Sequence, residues 1–209
     1  ILSAFIIALI GNCLFMLILR NIKLKNSLMV PLIGMMLGSV VSSITSFIAY
    51  KYDIIQNLSS WLQGNFSTIL KGNYEILYFG IPVAIIAYIY ANKFTIASMG
   101  EEFSINLGVN YQKTVTIGLV LISFITSLIV VTIGSIPFVG LIIPNIISMT
   151  KGDKIKNTIF DIAMLGAIFV LVCDIIGRLI IYPYEVSVST IISILGSAIF
   201  LFILFKKEK

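Results

Sequence analysis

The sequence contains no histidine among its 209 residues. That absence removes imidazole acid–base chemistry and the commonest zinc ligand together. Cysteine is nearly as scarce. Cys13 and Cys173 each sit in an apolar run, so they read as small hydrophobes rather than as a disulfide or a metal pair, and they leave the redox compartment unread. Charge is the third shortage: Asp, Glu, Lys and Arg make up 11% of the chain, where a soluble domain carries roughly 25%. Also missing are the H-E-x-x-H, Walker A, Gly-x-Ser-x-Gly and cysteine-cluster patterns that mark an enzyme or a nucleotide site. What fills the space is apolar. Hydrophobic residues reach 59% and the mean hydropathy is +1.10. Such a composition cannot build a water-facing exterior without large apolar patches, whereas lipid accepts apolar side chains on every outward face.

The apolar residues are arranged in long runs. Six stretches, roughly 1–19, 28–50, 76–92, 115–134, 158–181 and 186–205, are long enough to cross ~30 Å of hydrocarbon as helices at ~1.5 Å per residue. A seventh, 136–149, is short and interrupted by Pro137, Gly140 and Pro144. Charge decides its role. With Lys206, Lys207 and Lys209 in the cytoplasm and 136–149 counted as a crossing, Arg20, Lys23, Lys25, Lys93, Lys113, Lys151, Lys154 and Lys156 all fall inside. Lys51 and Lys71 fall outside, and Arg178 lies near the outer end of its span. Were 136–149 a surface loop, Arg20, Lys23 and Lys25 would face outward, against the positive-inside rule. The segment therefore reads as a crossing, or as a broken helix buried among others that carries the chain across.

The expected fold is an all-α, polytopic membrane helical bundle of about seven crossings, a single transmembrane domain over 1–209. The net charge of +5 is topology rather than a nucleic-acid footprint, because no basic segment has interleaved aromatics. Residue 1 is Ile, inside a hydrophobic run with no basic region before it and no A-x-A site after it. The expectation is that an N-terminal part of a longer protein is missing, not that this run is a signal peptide. In the longest outer loop, 51–75, Tyr52, Trp61 and Tyr74 read as interfacial anchors.

Three features stand out within this frame. Helix 28–50 places Gly34, Gly38, Ser42 and Ser46 four apart on one face, and helix 186–205 repeats the theme with Ser189, Ser193, Gly196 and Ser197. Small residues at that spacing either let helix backbones approach closely or line a wide polar passage, and the two roles are compatible on opposite edges of one helix. Asp174 and Arg178 lie one turn apart, as an i, i+4 ion pair or as a cation offered to an acidic group from outside. The cytoplasmic segment 94–114 is unlike the other loops: Gly100 and Gly108 bracket a short potential helix that opens with Glu101 and Glu102, and its Phe103, Ile105 and Leu107 make it either a surface for a partner protein or a connector between spans.

Four blocks, GEEFSINLGVN at 100–110, GSIPFVGLIIPN at 134–145, DIIGR at 174–178 and YEVSVSTIISILGSAIFLFIL at 184–204, resemble the FecCD family of ABC importer permeases in residues, order and spacing. The resemblance covers essentially the whole chain. It implies a ten-span subunit of which this chain matches the last seven spans, in the bacterial cytoplasmic membrane with its C-terminus inside. It implies a second permease subunit, two cytoplasmic ATPase subunits and an external siderophore-binding protein as partners, and no cofactor bound by the chain. By the same resemblance, 100–110 is the coupling helix that docks on the ATPase, with Gly100, Glu101, Glu102, Leu107 and Gly108 as its residues. The small-residue faces border the central pathway, and Arg178 with Glu185 meets the binding protein. The common P-H-x-x-R pattern is replaced by Pro144-Asn145 with Ser148 at the Arg position, and E-L-P-V-G reads Glu185-Val186-Ser187-Val188-Ser189. Asn145 together with Tyr182-Pro183-Tyr184-Glu185 looks most like the subgroup serving catecholate-type siderophores such as petrobactin. Cobalamin or haem is the alternative cargo within the family. An ion-coupled secondary transporter would need acidic groups facing a cavity, and only Asp161 and Asp174 lie within the spans. A membrane scaffold that does not transport is the remaining alternative.

Overall fold

The computed structural model describes residues 29–67, 69, 71, 72 and 74–207, together with 6, 7, 10, 11, 13–15, 17 and 18. Most of the expected first span, 1–19, lies outside the described residues, as do Arg20, Lys23, Lys25, Lys209 and the side chains of Lys206 and Lys207. The helices among the described residues are α1 (Met29–Lys51), α2 (Ile55–Leu62), α3 (Gly80–Ala97), α4 (Glu101–Asn106), α5 (Tyr111–Thr132), α6 (Val139–Lys151), α7 (Ile155–Leu179) and α8 (Val188–Lys207), with a 3-10 turn over Glu75–Phe79 ahead of α3. Pro31 and Pro82 sit in the first turns of α1 and α3, where the missing N–H costs nothing because those donors have no intrahelical partner. Asn110 starts α5 by accepting the Lys113 N–H on its side chain at 3.0 Å.

Among the described residues, four segments are long and apolar enough to cross a membrane, Leu32–Lys51, Glu75–Ala97, Tyr111–Thr132 and Ile155–Leu179, while Val139–Lys151 and Val188–Ile203 are shorter apolar helices. Large apolar side chains stand exposed on their outward faces. Phe47 is 72% exposed, Ile89 68% and Phe160 73%. Hydrocarbon, not water, is the solvent that such faces match.

Helices α3 and α5 are antiparallel neighbours, because a Cβ on Gly80 would reach Leu128 while one on Gly118 would stand 3.1 Å from the Phe94 ring. This fixes two ends of the bundle. At one end the Asn65 N–H donates to Ile133 O at 3.0 Å, the Ser135 N–H to Leu62 O at 3.0 Å and the Ser189 N–H to Gly64 O at 3.2 Å. At the other end the Ile155 N–H reaches the Thr95 hydroxyl oxygen at 3.3 Å. The chain between Ser135 and Ile155 therefore runs from one end to the other, as the charge distribution requires. Helix α6 has 13 residues, about 20 Å of rise. The remaining distance is covered by non-helical chain from Ser135 to Phe138, up to ~10 Å long. Phe138 closes this lead-in with φ 65°, the left-handed region that bulky side chains seldom enter. This non-helical stretch is held at the junction by the Ser135 N–H bond to Leu62 O. Ile136 and Val139 pack on a buried cluster of Cys173, Val188, Ile191 and Ile192.

The expected outer loop 51–75 holds more structure than its sequence announces. After α1 the chain reverses at Asp53, φ 56°, and forms α2, whose Trp61 is 74% exposed. Gly64 then passes so close to Ser135 that a Cβ would lie 2.7 Å from the Ser135 carbonyl oxygen.

Candidate functional site

The segment between α3 and α5 is built around one buried polar residue. Gly100 turns the chain with φ 107° and ψ 170°, a region that glycine alone enters without strain. Glu101 and Glu102 occupy the first turn of α4, where carboxylates complement the free N–H groups. Ser104 is fully buried. Its hydroxyl lies 2.7 Å from Gly100 O and 3.3 Å from Ile96 O, tying α4 to the end of α3. Gly108, φ 72°, lets the chain turn back, and the Val109 N–H returns to Ser104 O at 2.8 Å. With Ser104 holding the inner side, Phe103, Ile105 and Leu107 all face outward, each more than half exposed. An open depression of about 410 Å³ lies beside them, between Glu101, Ile105 and Gly108 and the start of α5 at Tyr111 and Gln112. The short helix thus presents an exposed apolar face made by Phe103, Ile105 and Leu107.

At the opposite end a charged cluster joins three segments. Arg178 Nε lies 2.9 Å from Asp174 Oδ2 and Nη1 lies 3.7 Å from Glu185 Oε1. The Ser67 hydroxyl donates to the other Glu185 oxygen, so the loop after α2 is bound to the turn between α7 and α8. The i, i+4 pair read from the sequence is present. The structure adds Glu185 and Ser67 to it. One cation faces two carboxylates here, and Arg178 keeps 43% of its side chain exposed.

The small-residue faces divide between packing and open surface. On α1, Gly34 and Gly38 line a groove of about 480 Å³ with Leu37 and Val41, facing Ser127 and Val130 on α5. Ser42 and Ser46 are exposed, and the neighbouring hydroxyls of Ser39, Ser43 and Thr45 donate to carbonyls four residues back at 2.8–2.9 Å. On α8, Ser189 is 8% exposed, and its carbonyl accepts the Ser193 hydroxyl at 2.7 Å. Gly196 is buried against α6, where a Cβ would stand 3.0 Å from both Ile142 Cδ1 and Phe138 Cβ. Ser197, one position on, is exposed. One edge of α8 thus packs on α6 while the adjacent edge is free of it.

Three residues with long-range roles carry no signal in the sequence: Thr95, Ser104 and Ser67 are ordinary hydroxyl residues whose partners appear only on folding. Asp161, one of two acids within the spans, pairs with Lys151 at 2.7 Å. Cys173 is a free thiol in the apolar cluster and Cys13 is free and exposed.

Residues 1–206 match the FecCD transport family. The chain belongs to that family. Among curated relatives, it is 57% identical over 207 residues to the petrobactin import system permease protein YclN of Bacillus subtilis, a match covering 99% of this chain and 66% of that protein. It is 40% identical to the ferric-anguibactin transport system permease protein FatD of Vibrio anguillarum, covering 95% of this chain and 63% of the relative. The petrobactin import system permease protein FatD of Bacillus anthracis is likewise 40% identical, with 99% and 62% covered. The chain thus spans slightly less than two thirds of the length of these relatives. A solved chain from a transporter assigned to the metal-chelate ABC type, in an inward-facing conformation, superposes with a TM-score of 0.83 at 24% identity, covering 93% of this chain and 63% of that one. That likeness establishes the fold, an all-α helical membrane bundle.

Proposed function

We propose that this chain forms part of the membrane-spanning permease of an ABC importer that brings a ferric siderophore of the petrobactin, catecholate-bearing type into the cytoplasm. The observation that carries the reading is the 57% identity over 207 residues to a petrobactin import permease. The geometry supports it: apolar helices connect an exposed partner-binding helix at one end with a charged cluster at the other. Lys93, Lys113, Lys151, Lys154 and Lys156 gather toward the α4 end, which supports a cytoplasmic position for that end.

In this reading a siderophore-binding protein docks outside on the surface around Arg178 and Glu185. Of two ATPase subunits inside, one receives α4 through Glu101, Glu102 and Leu107, with Gly100 and Gly108 setting its angle, and the other serves the second permease subunit. A second permease subunit completes the passage, bordered by the exposed edges of α1 and α8. Alternating access follows when ATP binding and hydrolysis favour different positions of α4, because a shift in the populations of two states needs a partner that binds them unequally. The chain itself performs no covalent chemistry, and ATP hydrolysis belongs to the partner. The pairing of Asp161 with Lys151 and of Asp174 with Arg178 leaves both intramembrane acids occupied, which disfavours ion-coupled transport.

The test is uptake by the assembled complex in proteoliposomes, supplied with the binding protein and iron-loaded petrobactin. ATP-dependent iron accumulation is expected. Accumulation of cobalamin or haem in place of the siderophore would change the cargo, and accumulation driven by an ion gradient without ATP would overturn the class. Gly108→Val, which forces a β-branched residue into φ 72°, is expected to abolish uptake while membrane insertion persists.

A further inference from the structure

The first N–H groups of a helix have no partner within it and must be met from elsewhere. Lys154, the residue that caps α7, supplies no side-chain hydrogen bond. The N–H of Ile155 is met instead by another helix, donating to the Thr95 hydroxyl oxygen on α3 at 3.3 Å. The Thr95 proton in turn goes to the Ala91 carbonyl at 3.1 Å, so both capacities of the hydroxyl are used. The bond is half-buried, with Ala91 fully buried and Thr158 only 4% exposed beside it. Immediately after Thr95, the Ile96 carbonyl lies 3.3 Å from the Ser104 hydroxyl. Two side-chain hydroxyls therefore connect three elements in series: α4 through Ser104 to the end of α3, and the end of α3 through Thr95 to the start of α7. Helix α7 then runs 25 residues to the Asp174–Arg178 pair at the other end.

We propose that Thr95 is the positioning residue that passes movement of α4 to α7, so that displacement of the short helix by its partner is transmitted along a rigid helix to the far face of the bundle. The inference rests on the importer function proposed above and adds to it a specific route. Spatial continuity alone does not establish coupling between sites. The decisive quantity is how far partner binding at one face changes activity at the other.

Thr95→Val keeps the shape of the side chain and removes the acceptor. In the complete importer in liposomes, it is expected to lower the stimulation of ATP hydrolysis by loaded binding protein, and uptake with it, about fivefold, the scale of one lost hydrogen bond. Thr95→Ser keeps the hydroxyl and is expected to retain both. The same bond can be removed from the other side. Ile155→Pro deletes the N–H at the first position of α7, where proline fits a helix and where the preceding Lys154, at φ −75° and ψ 95°, already has extended backbone. It tests the link independently of any folding defect in the Thr95 variant. The double variant is expected to fall no further than either single change, because both remove one shared interaction.

Full stimulation and uptake in Thr95→Val or in Ile155→Pro, or additive losses in the double variant, would overturn the route. A Thr95→Ser complex as impaired as Thr95→Val would overturn it too, by assigning the residue to packing. A wild-type complex without ATP-driven uptake overturns the proposed function and this inference with it. A transporting wild type beside equally active variants overturns this inference alone.

Discussion

The Ser189 N–H donates to the Gly64 carbonyl at 3.2 Å, joining the start of α8 to the chain leaving α2. Around that bond the turn between α5 and α6 is also anchored, by Ser135 N–H to Leu62 O and Asn65 N–H to Ile133 O, each at 3.0 Å. Backbone meets backbone at this junction, which is possible because the crossing points are glycines. A Cβ on Gly64 would lie 2.7 Å from Ser135 O, and one on Gly134, φ 97°, would lie 2.8 Å from Gln63 O.

Gly64→Ala and Gly134→Ala are therefore expected to destabilise the folded protein by about 2 kcal/mol each, since the colliding atoms are backbone and cannot rotate away. Gly140→Ala is the control. It lies in α6 with open space around it, and alanine there should hold or raise stability by up to ~1 kcal/mol. Thermal melting of the purified protein in detergent measures both. Equal melting temperatures for Gly64→Ala and Gly140→Ala would mean that the junction is looser than its geometry indicates.

The end-to-end course of residues 135–155 predicts a labelling pattern. Single cysteines replacing Lys113, in the first turn of α5, and Lys154, after α6, should both react with a membrane-impermeant maleimide from the cytoplasmic side only, while one replacing Lys71 reacts from outside. If α6 folded back without crossing, Lys113 and Lys154 would stand on opposite sides. The two positions would then label from different faces.

The membrane bundle was legible in the sequence because hydropathy and the placement of lysines act through the solvent, and the solvent is uniform along the chain. That is why α1, α3, α5, α7 and α8 fall within a few residues of their expected limits. Segment 136–149 needed charge to be read as a crossing, and only the structure explains how 13 helical residues suffice: Ser135–Phe138 carries part of the distance in non-helical form. The helix Ile55–Leu62 went unread because eight residues offer little periodicity. The glycines flanking α4 were visible, since positive φ has a residue signature. Thr95, Ser104 and Ser67 were not, because a hydroxyl that bonds to a residue distant in sequence looks no different from one that bonds to its own turn.

The division of α8 into a packed and an open edge separates stability from transport. Gly196→Val inserts methyl groups against Ile142 and Phe138, already 3.0 Å from an added Cβ, and is expected to cost roughly 1–3 kcal/mol in melting experiments. Ser197→Val, on the exposed edge, should change stability by less than ~0.5 kcal/mol. If that edge borders the passage, Ser197→Val will nevertheless slow uptake. Unchanged uptake with unchanged stability would remove Ser197 from the pathway.

Arg178 offers the sharpest test of docking because its charge is already shared. Asp174 and Glu185 both approach it, and exposed pairs of this kind contribute only ~0.5 kcal/mol to stability. Glu185→Gln should therefore barely move the melting temperature, yet it frees Arg178 toward an incoming carboxylate. If the binding protein presents acidic groups, Glu185→Gln should tighten docking severalfold and Arg178→Glu, which leaves three carboxylates together, should weaken it by about tenfold or more at low salt. Raising the ionic strength from ~0.01 to ~0.15 M shortens the screening length from ~30 to ~8 Å and should narrow the gap between the variants. Binding affinity measured for both variants against the wild type decides between the roles. Opposite shifts assign Arg178 to the partner, whereas equal affinities with a small stability loss in Arg178→Glu confine it to holding the loop after α2 on the turn between α7 and α8.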